Sequence, residues 1–150
     1  MLFRSFENLS LHNDGGGYDF DGGTTNSIIT DCVSYNNWGP GYEACSYTYG
    51  VINNNGTNAN NSIINSTSYG DGYGRAFASV GVFPYEVNVQ QLRVSNLIVN
   101  ITNFPCDFYG YDYSTHHGIW AEPPGPGTAG GNLTAVFSNV TVSCAGEIGR

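Results

Sequence analysis

Short apolar and β-branched runs alternate with clusters of Gly and Asn along most of the chain. Ile28-Ile29, Ile63-Ile64, Val94 to Val99 and Phe137 to Val142 are each set between turn-forming residues. That is the pattern of strands broken by turns. Five segments align on one Asn or Asp. They read Phe6-Glu7-Asn8-Leu9-Ser10-Leu11, Ile29-Thr30-Asp31-Cys32-Val33-Ser34, Ile63-Ile64-Asn65-Ser66-Thr67-Ser68, Val94-Ser95-Asn96-Leu97-Ile98-Val99 and Phe137-Ser138-Asn139-Val140-Thr141-Val142. Each predicts a strand on either side of the aligned residue. The spacings between aligned residues are 23, 34, 31 and 43. A unit near 23 residues accounts for all four once loops are inserted at 47–60, 79–90 and 104–131. Stacked repeats tolerate insertions of this kind at one corner.

The likeness extends past the strands. Asn13-Asp14-Gly15-Gly16-Gly17-Tyr18-Asp19-Phe20-Asp21 runs parallel to Asn36-Asn37-Trp38-Gly39-Pro40-Gly41-Tyr42-Glu43-Ala44-Cys45. Residues 69–77 repeat it loosely. Each is a polar turn, then glycines, then an aromatic-led strand. Alternation along a strand predicts inward positions at Leu9, Leu11, Cys32, Ser34, Ser66, Ser68, Leu97, Val99, Val140 and Val142. The preceding strands add Phe6, Ile28, Ile63, Val94 and Val136. The expected core is narrow and built of small and branched side chains.

Through Leu11-His12-Asn13-Asp14-Gly15-Gly16-Gly17-Tyr18-Asp19-Phe20-Asp21-Gly22-Gly23 and Asn26-Ser27-Ile28-Ile29, the chain resembles secreted right-handed parallel β-helix proteins of the pectin-lyase-like superfamily. The resemblance covers residues 6–77 and, more thinly, 92–142. It implies an all-β chain, a right-handed parallel β-helix of about five coils with long loop insertions, forming one domain over 1–150. It also implies that Asn8, Asp31, Asn65, Asn96 and Asn139 occupy tight turns and bond to their equivalents one coil away. Asn suits such a turn because it tolerates left-handed backbone and bonds locally. Five coils at ~4.8 Å make a stack of about 20–25 Å. Neither end shows an amphipathic helix or charged cap. Further copies, other domains or more of the same chain are therefore expected to cover the coil ends, stacked copies giving a fibre.

Composition narrows the function classes. The cationic side chains are Arg4, Arg75, Arg93 and Arg150, lysine is absent, and the net charge is −8. A nucleic-acid surface needs clustered cations, so it is excluded. Gly, Asn, Ser and Thr fill 63 of 150 positions, which excludes a helical bundle. No apolar run approaches the roughly 18 residues of a membrane span. Hydrophobic residues at 40% and aromatics at 14% argue against disorder.

Met1 to Phe6 lack the charged and apolar regions of a secretion signal, so a mature or excised chain is expected. Cys32, Cys45, Cys106 and Cys144 contain no CxxC pair and fit disulfides better than zinc or redox chemistry, with buried free thiols as the alternative. Sequence proximity favours Cys32–Cys45 and Cys106–Cys144. Seven N-x-[ST] sequons, at Asn8, Asn55, Asn60, Asn65, Asn100, Asn132 and Asn139, point to a secreted or cell-surface glycoprotein. Inward ladder residues cannot carry glycans, so N-linked glycans are expected at Asn55, Asn60, Asn100 and Asn132.

Three constellations carry candidate chemistry. Asp19 and Asp21 share a strand face, and Glu43 is expected one coil above Asp19. Such a carboxylate column suits Ca²⁺ or a general acid/base pair for glycoside hydrolysis, with Arg75 as the nearby cation; its alternative is a solvated acidic face. β-Helix lyases typically draw a proton with Lys or Arg, so without lysine that chemistry rests on Arg75. Asp112, His116, His117 and Glu122 could bind a metal, although adjacent His side chains point to opposite faces. Tyr109, Tyr111 and Tyr113 with Trp120, and Tyr42, Tyr47 and Tyr49, could stack on sugar rings or pack loops and partners. The expected function is a non-catalytic extracellular structural or assembly module. A polysaccharide lyase or glycoside hydrolase and a carbohydrate-binding module are the alternatives.

Overall fold

The computed structural model describes residues 3–6, 16–20, 23–45, 58–72, 78–83, 89–101, 106–110, 116–121 and 133–144. Side chains are described at 16–20, 23–44, 58–72, 89–101, 117–120 and 133–144. Among these residues the chain forms strands and turns and no helix. The strands are β1 (Phe3–Phe6), β2 (Tyr18–Phe20), β3 (Ile28–Thr30), β4 (Cys32–Tyr35), β5 (Tyr42–Cys45), β6 (Asn58–Ala59), β7 (Ser62–Ile64), β8 (Thr67–Tyr69), β9 (Ala78–Phe83), β10 (Val89–Ile101), β11 (Cys106–Gly110), β12 (His116–Ala121) and β13 (Leu133–Cys144).

They form two sheets in which every pairing is parallel. The first sheet holds β1, β3, β4, β6, β7, β8, β10 and β13; the second runs β2, β5, β9, β12, β11. The chain alternates between them, so parallel neighbours in the first sheet belong to successive passes. Parallel strands need a long crossover, and the second sheet supplies it. One departure is β12, which lies between β9 and β11 although it follows β11 in sequence.

Each pass through the first sheet is bent by residues in left-handed backbone. Asp31, Asn65, Asn96 and Asn139 have φ of 54°, 50°, 52° and 51° and form one column. A second column holds Asn26, Asn60 and Gln91 at 54°, 56° and 54°. A third holds Asn36 at 50° and Gly70 at 67°. Within a pass these kinks recur every five residues, at 26, 31 and 36, then 60, 65 and 70. Asn pays less than most residues for this backbone because its amide bonds locally. Asn96 Nδ2 donates to Asn65 Oδ1 at 2.9 Å, and Asn139 Nδ2 donates to Asn96 Oδ1 at 2.8 Å.

Asn96 therefore makes a clean test of the amide column. Asn96→Gly keeps left-handed backbone without steric cost but removes both amide bonds. Urea unfolding is expected to show a loss of about 1 kcal/mol. Asn96→Ala adds the left-handed penalty and should lose roughly 1 kcal/mol more. An unchanged midpoint in both variants would deny the column a stabilising role.

The first pass is offset from the sequence alignment. Phe3 pairs with Cys32 and Phe6 with Tyr35, whereas the sequence alignment sets Phe6 level with Ile29. Asn8 itself lies outside the described residues.

Facing follows one rule. Residues two before and one and three after the kink at 31, 65 and 96 point inward. Cys32, Ser34, Ser66, Ser68, Leu97 and Val99 are buried, as are Ile63 and Val94. Ile28 and Val136 are instead 64% and 58% exposed. Their neighbours Ile29 and Phe137 pack on the core, since a one-residue slip moves a strand side chain to the opposite face. The interior changes character along the stack. Ser34, Asn37, Ser66, Ser68 and Asp71 fill the earlier passes, while Leu92, Val94, Leu97, Val99 and Ile101 fill β10. Inward residues of β13, including Phe137, Val140 and Val142, remain half-buried.

Candidate functional site

The kinks create a polar problem that the sequence solves in one way. A left-handed residue turns the backbone, so the next N–H misses its ladder carbonyl. A buried N–H needs an acceptor. At the corners after Asn26, Asp31 and Asn36 a side chain from the following pass provides it. Ser27 N–H donates to Asn61 Oδ1 at 2.9 Å, Cys32 N–H to Ser66 Oγ at 3.2 Å, and Asn37 N–H to Asp71 Oδ1 at 2.8 Å. The acceptors directly follow Asn60, Asn65 and Gly70, the kink residues of their own pass.

Two of these corners grow into networks. Asn61 Nδ2 donates to Thr24 O at 2.7 Å and to Asn58 Oδ1, and Asn58 Nδ2 donates to Phe20 O. Asn37 Nδ2 donates to Ser34 Oγ and Asp71 Oδ1, both at 2.8 Å, and Ser68 Oγ donates to Asp71 Oδ2 at 2.6 Å. Gly17 and Gly41 complete the Asp71 corner. A Cβ at Gly41 would collide with Asp71 Oδ2 and Ser68 Oγ, and one at Gly17 with Ser34 Oγ. Burial pushes the Asp71 carboxyl upward, opposed by hydrogen bonds from Ser68, the Asn37 backbone, Ser34 and the Asn37 side chain. All these groups are buried, so the corner is a filled interior and not an open cleft.

Tyr42 joins the two sheets across this interior. Its hydroxyl lies 2.9 Å from the carbonyl oxygens of both Cys32 and Thr67, and its one proton serves the two. Its ring stacks on Tyr18, with centroids 5.4 Å apart and planes 10° apart. Burial raises both phenols, Tyr18 to about 12 and Tyr42 further.

Asp19 and Glu43 are register partners on β2 and β5, but their surroundings differ. Asp19 is exposed and Glu43 is only 3% exposed. Asp21 and Arg75 lie outside the described residues. Among the described residues no group of three or more His, Cys, Asp or Glu is placed to hold a metal ion. Of the His-containing group, His117 is buried and meets Trp120 edge-on at 6.1 Å; Asp112, Glu122 and the His116 side chain are outside the described set.

No family model, curated protein or solved structure matches the chain.

Two of the aromatic candidates pack in the interior, the second of the two roles the sequence offered them. Trp120 is 2% exposed and Tyr42 fully buried, so neither offers a face to a sugar. The side chains of Tyr109, Tyr111, Tyr113, Tyr47 and Tyr49 lie outside the described set. Among the described residues the exposed aromatics are Tyr35 and Tyr69, 41% and 39% exposed, stacked at 5.3 Å with planes 16° apart. Each stands four residues after its kink, at 31 and 65, a spacing readable in the sequence.

Cys32 is a free, buried thiol, donating through Sγ to Thr30 O at 3.2 Å. The Cys32–Cys45 bridge is therefore not formed, because the strand alternation that turns Cys32 inward spends it on the core. Cys144 is disulfide-bonded; the side chains of Cys45 and Cys106 lie outside the described set. Among the sequons, Asn60 belongs to the second kink column, and its Nδ2 donates to Asn26 Oδ1 at 3.4 Å. It stands exposed in the bend between β6 and β7. Asn55 and Asn132 lie outside the described residues. Asn100 is half-exposed on β10.

Proposed function

We propose that the two sheets are faces of a right-handed parallel β-helix of about five coils, and that the chain is a non-catalytic extracellular glycoprotein module with a structural or assembly role. The recurrence of left-handed kinks in columns, with those at Asn26, Asp31 and Asn36 each backed by a side-chain acceptor from the next pass, supports this reading. Polar side chains that an enzyme would expose are here spent on holding passes together. The half-buried inner face of β13, which pairs with β10 alone among the described strands, supports coverage by further coils, another domain or another copy.

The Asp19–Glu43 register keeps a polysaccharide lyase or glycoside hydrolase in view as the second reading, with Ca²⁺ as its possible ion. Both readings meet in one assay. Purified chain incubated with pectate or alginate is expected to release no new reducing or unsaturated ends. Light scattering over a concentration series is expected to show mass above that of the monomer. Polymer cleavage abolished by Asp21→Asn would replace the structural reading with the enzymatic one.

A further inference from the structure

We propose that Asn100 is an N-glycan acceptor whose first sugar packs on the Tyr69 ring, becoming the third layer of the Tyr35–Tyr69 stack. This inference rests on the extracellular glycoprotein reading and adds the site and the contact.

The register places the three residues in one outward column. Tyr35 pairs with Tyr69, and Tyr69 with Asn100. Tyr35 covers one face of the Tyr69 ring, with centroids 5.3 Å apart. The other face looks over Asn100, whose shorter side chain leaves the outer ring uncovered. Tyr69 is accordingly 39% exposed. A sugar joined to Asn100 Nδ2 would leave the sheet in the same direction as the ring, about one strand spacing away (~4.8 Å). That separation suits an apolar pyranose C–H face laid on an aromatic face. Beyond Asn100 the column continues to Ser143, which is small and exposed, so the sugar has room on its far side.

The amide of Asn100 is also available. Asn60 and Asn139 donate through Nδ2 within the kink columns, and Asn65 Oδ1 accepts from Asn96. Asn100 makes no side-chain hydrogen bond to another described residue. It opens the sequon Asn100-Ile101-Thr102. In the transfer, Asn100 Nδ2 forms a bond to the anomeric carbon of an N-acetylglucosamine carried by a lipid-linked oligosaccharide pyrophosphate. The bond from that carbon to pyrophosphate breaks, the lipid pyrophosphate leaves, and the amide loses one proton.

The test uses the whole chain secreted from a glycosylating eukaryotic host. Glycopeptide mass spectrometry is expected to show Asn100 occupied. Trimming to a single sugar and comparing with Asn100→Gln should leave the sugar-bearing form higher in Tm by about 2–4 °C, the shift of roughly 1 kcal/mol in a chain of this size. Tyr69→Ala should abolish that increment, and Tyr69→Phe, which keeps the ring, should retain it. Asn100 empty while Asn55 or Asn132 is occupied would overturn the inference and leave the glycoprotein reading standing. No occupancy at any sequon would overturn both. An occupied Asn100 whose increment survives Tyr69→Ala would overturn the stacking.

Discussion

Replacing Asp71 by Ala is expected to lower unfolding free energy by about 2–4 kcal/mol. The carboxylate accepts from Asn37 N–H, Asn37 Nδ2 and Ser68 Oγ, all of them buried. Alanine removes the acceptor these three donors share, Asn37 Nδ2 keeping Ser34 Oγ, in a space that Gly17 and Gly41 have already closed. Asp71→Asn separates geometry from charge. Its Oδ1 can accept from Asn37, and its Nδ2 can donate to Ser68 Oγ, so most of the network survives. The pH dependence then has a definite sign. Burial raises the folded-state pKa of Asp71 above the ordinary 3.8. Its favourable contribution is fully present below about 3.8 and is lost as pH rises through the folded value. The Asn variant does not titrate. Urea unfolding from pH 4 to 8 should therefore show Asp71→Asn gaining on the parent chain as pH rises. A constant difference between the two would mean that the carboxyl is not raised by folding.

Tyr42→Ala should be the most damaging single change, at about 3–5 kcal/mol. The ring is fully buried, stacks on Tyr18 and links β5 to the carbonyls of Cys32 and Thr67 in the opposite sheet. Tyr42→Phe isolates the hydroxyl and should lose about 1–2 kcal/mol, since two buried carbonyls then share no donor. Alkaline unfolding provides the second readout. Folding holds Tyr18 and Tyr42 above the ordinary 10.0, so stability is present below pH 10 and falls as pH rises beyond it. Tyr42→Phe should show a shallower fall over that range than the parent chain. Equal slopes would show that the buried phenol does not govern alkaline stability.

The sequence was most readable where one residue type answers one backbone demand. Asp31, Asn65, Asn96 and Asn139 were identifiable because left-handed backbone between two strands favours Asn, and the flanking apolar residues repeat with them. The same logic holds at Asn26 and Asn60 and at Asn36 and Gly70, but there Gln91 and Gly70 break the residue identity that made the first column visible. Their five-residue distance from the recognised column was the available signal. The parallel between Tyr18-Asp19-Phe20 and Tyr42-Glu43-Ala44 was likewise legible, because the glycines before each strand repeat with it.

Burial was harder to read than facing. Asp19 and Glu43 occupy equivalent register positions, yet one is exposed and the other buried, since exposure depends on what lies across the sheet and not on strand alternation. Ser34 and Ser68 follow the alternation that turns them inward. Asp71 looks like a surface residue by type; it is interior where the N–H of Asn37 needs an acceptor, a demand invisible until the kinks are placed. For Trp120 and Tyr42 the sequence left sugar stacking and packing both open for a related reason: alternation tells which aromatics share a face, not whether that face is covered. Cys32 pairs more easily with a neighbour on paper than in a strand that turns it toward the core.

The amide column through Asn65, Asn96 and Asn139 has a polarity. The Nδ2 of Asn96 and of Asn139 points back toward the earlier pass, and the Oδ1 of Asn65 and of Asn96 receives from the later one. The dipoles therefore add instead of cancelling, and the two ends of the row are chemically different. At the Asn139 end the row presents an oxygen. Asn139 is exposed, so water can match that oxygen, and a strand that brought a donor there would continue the row in the same hydrogen-bond sense.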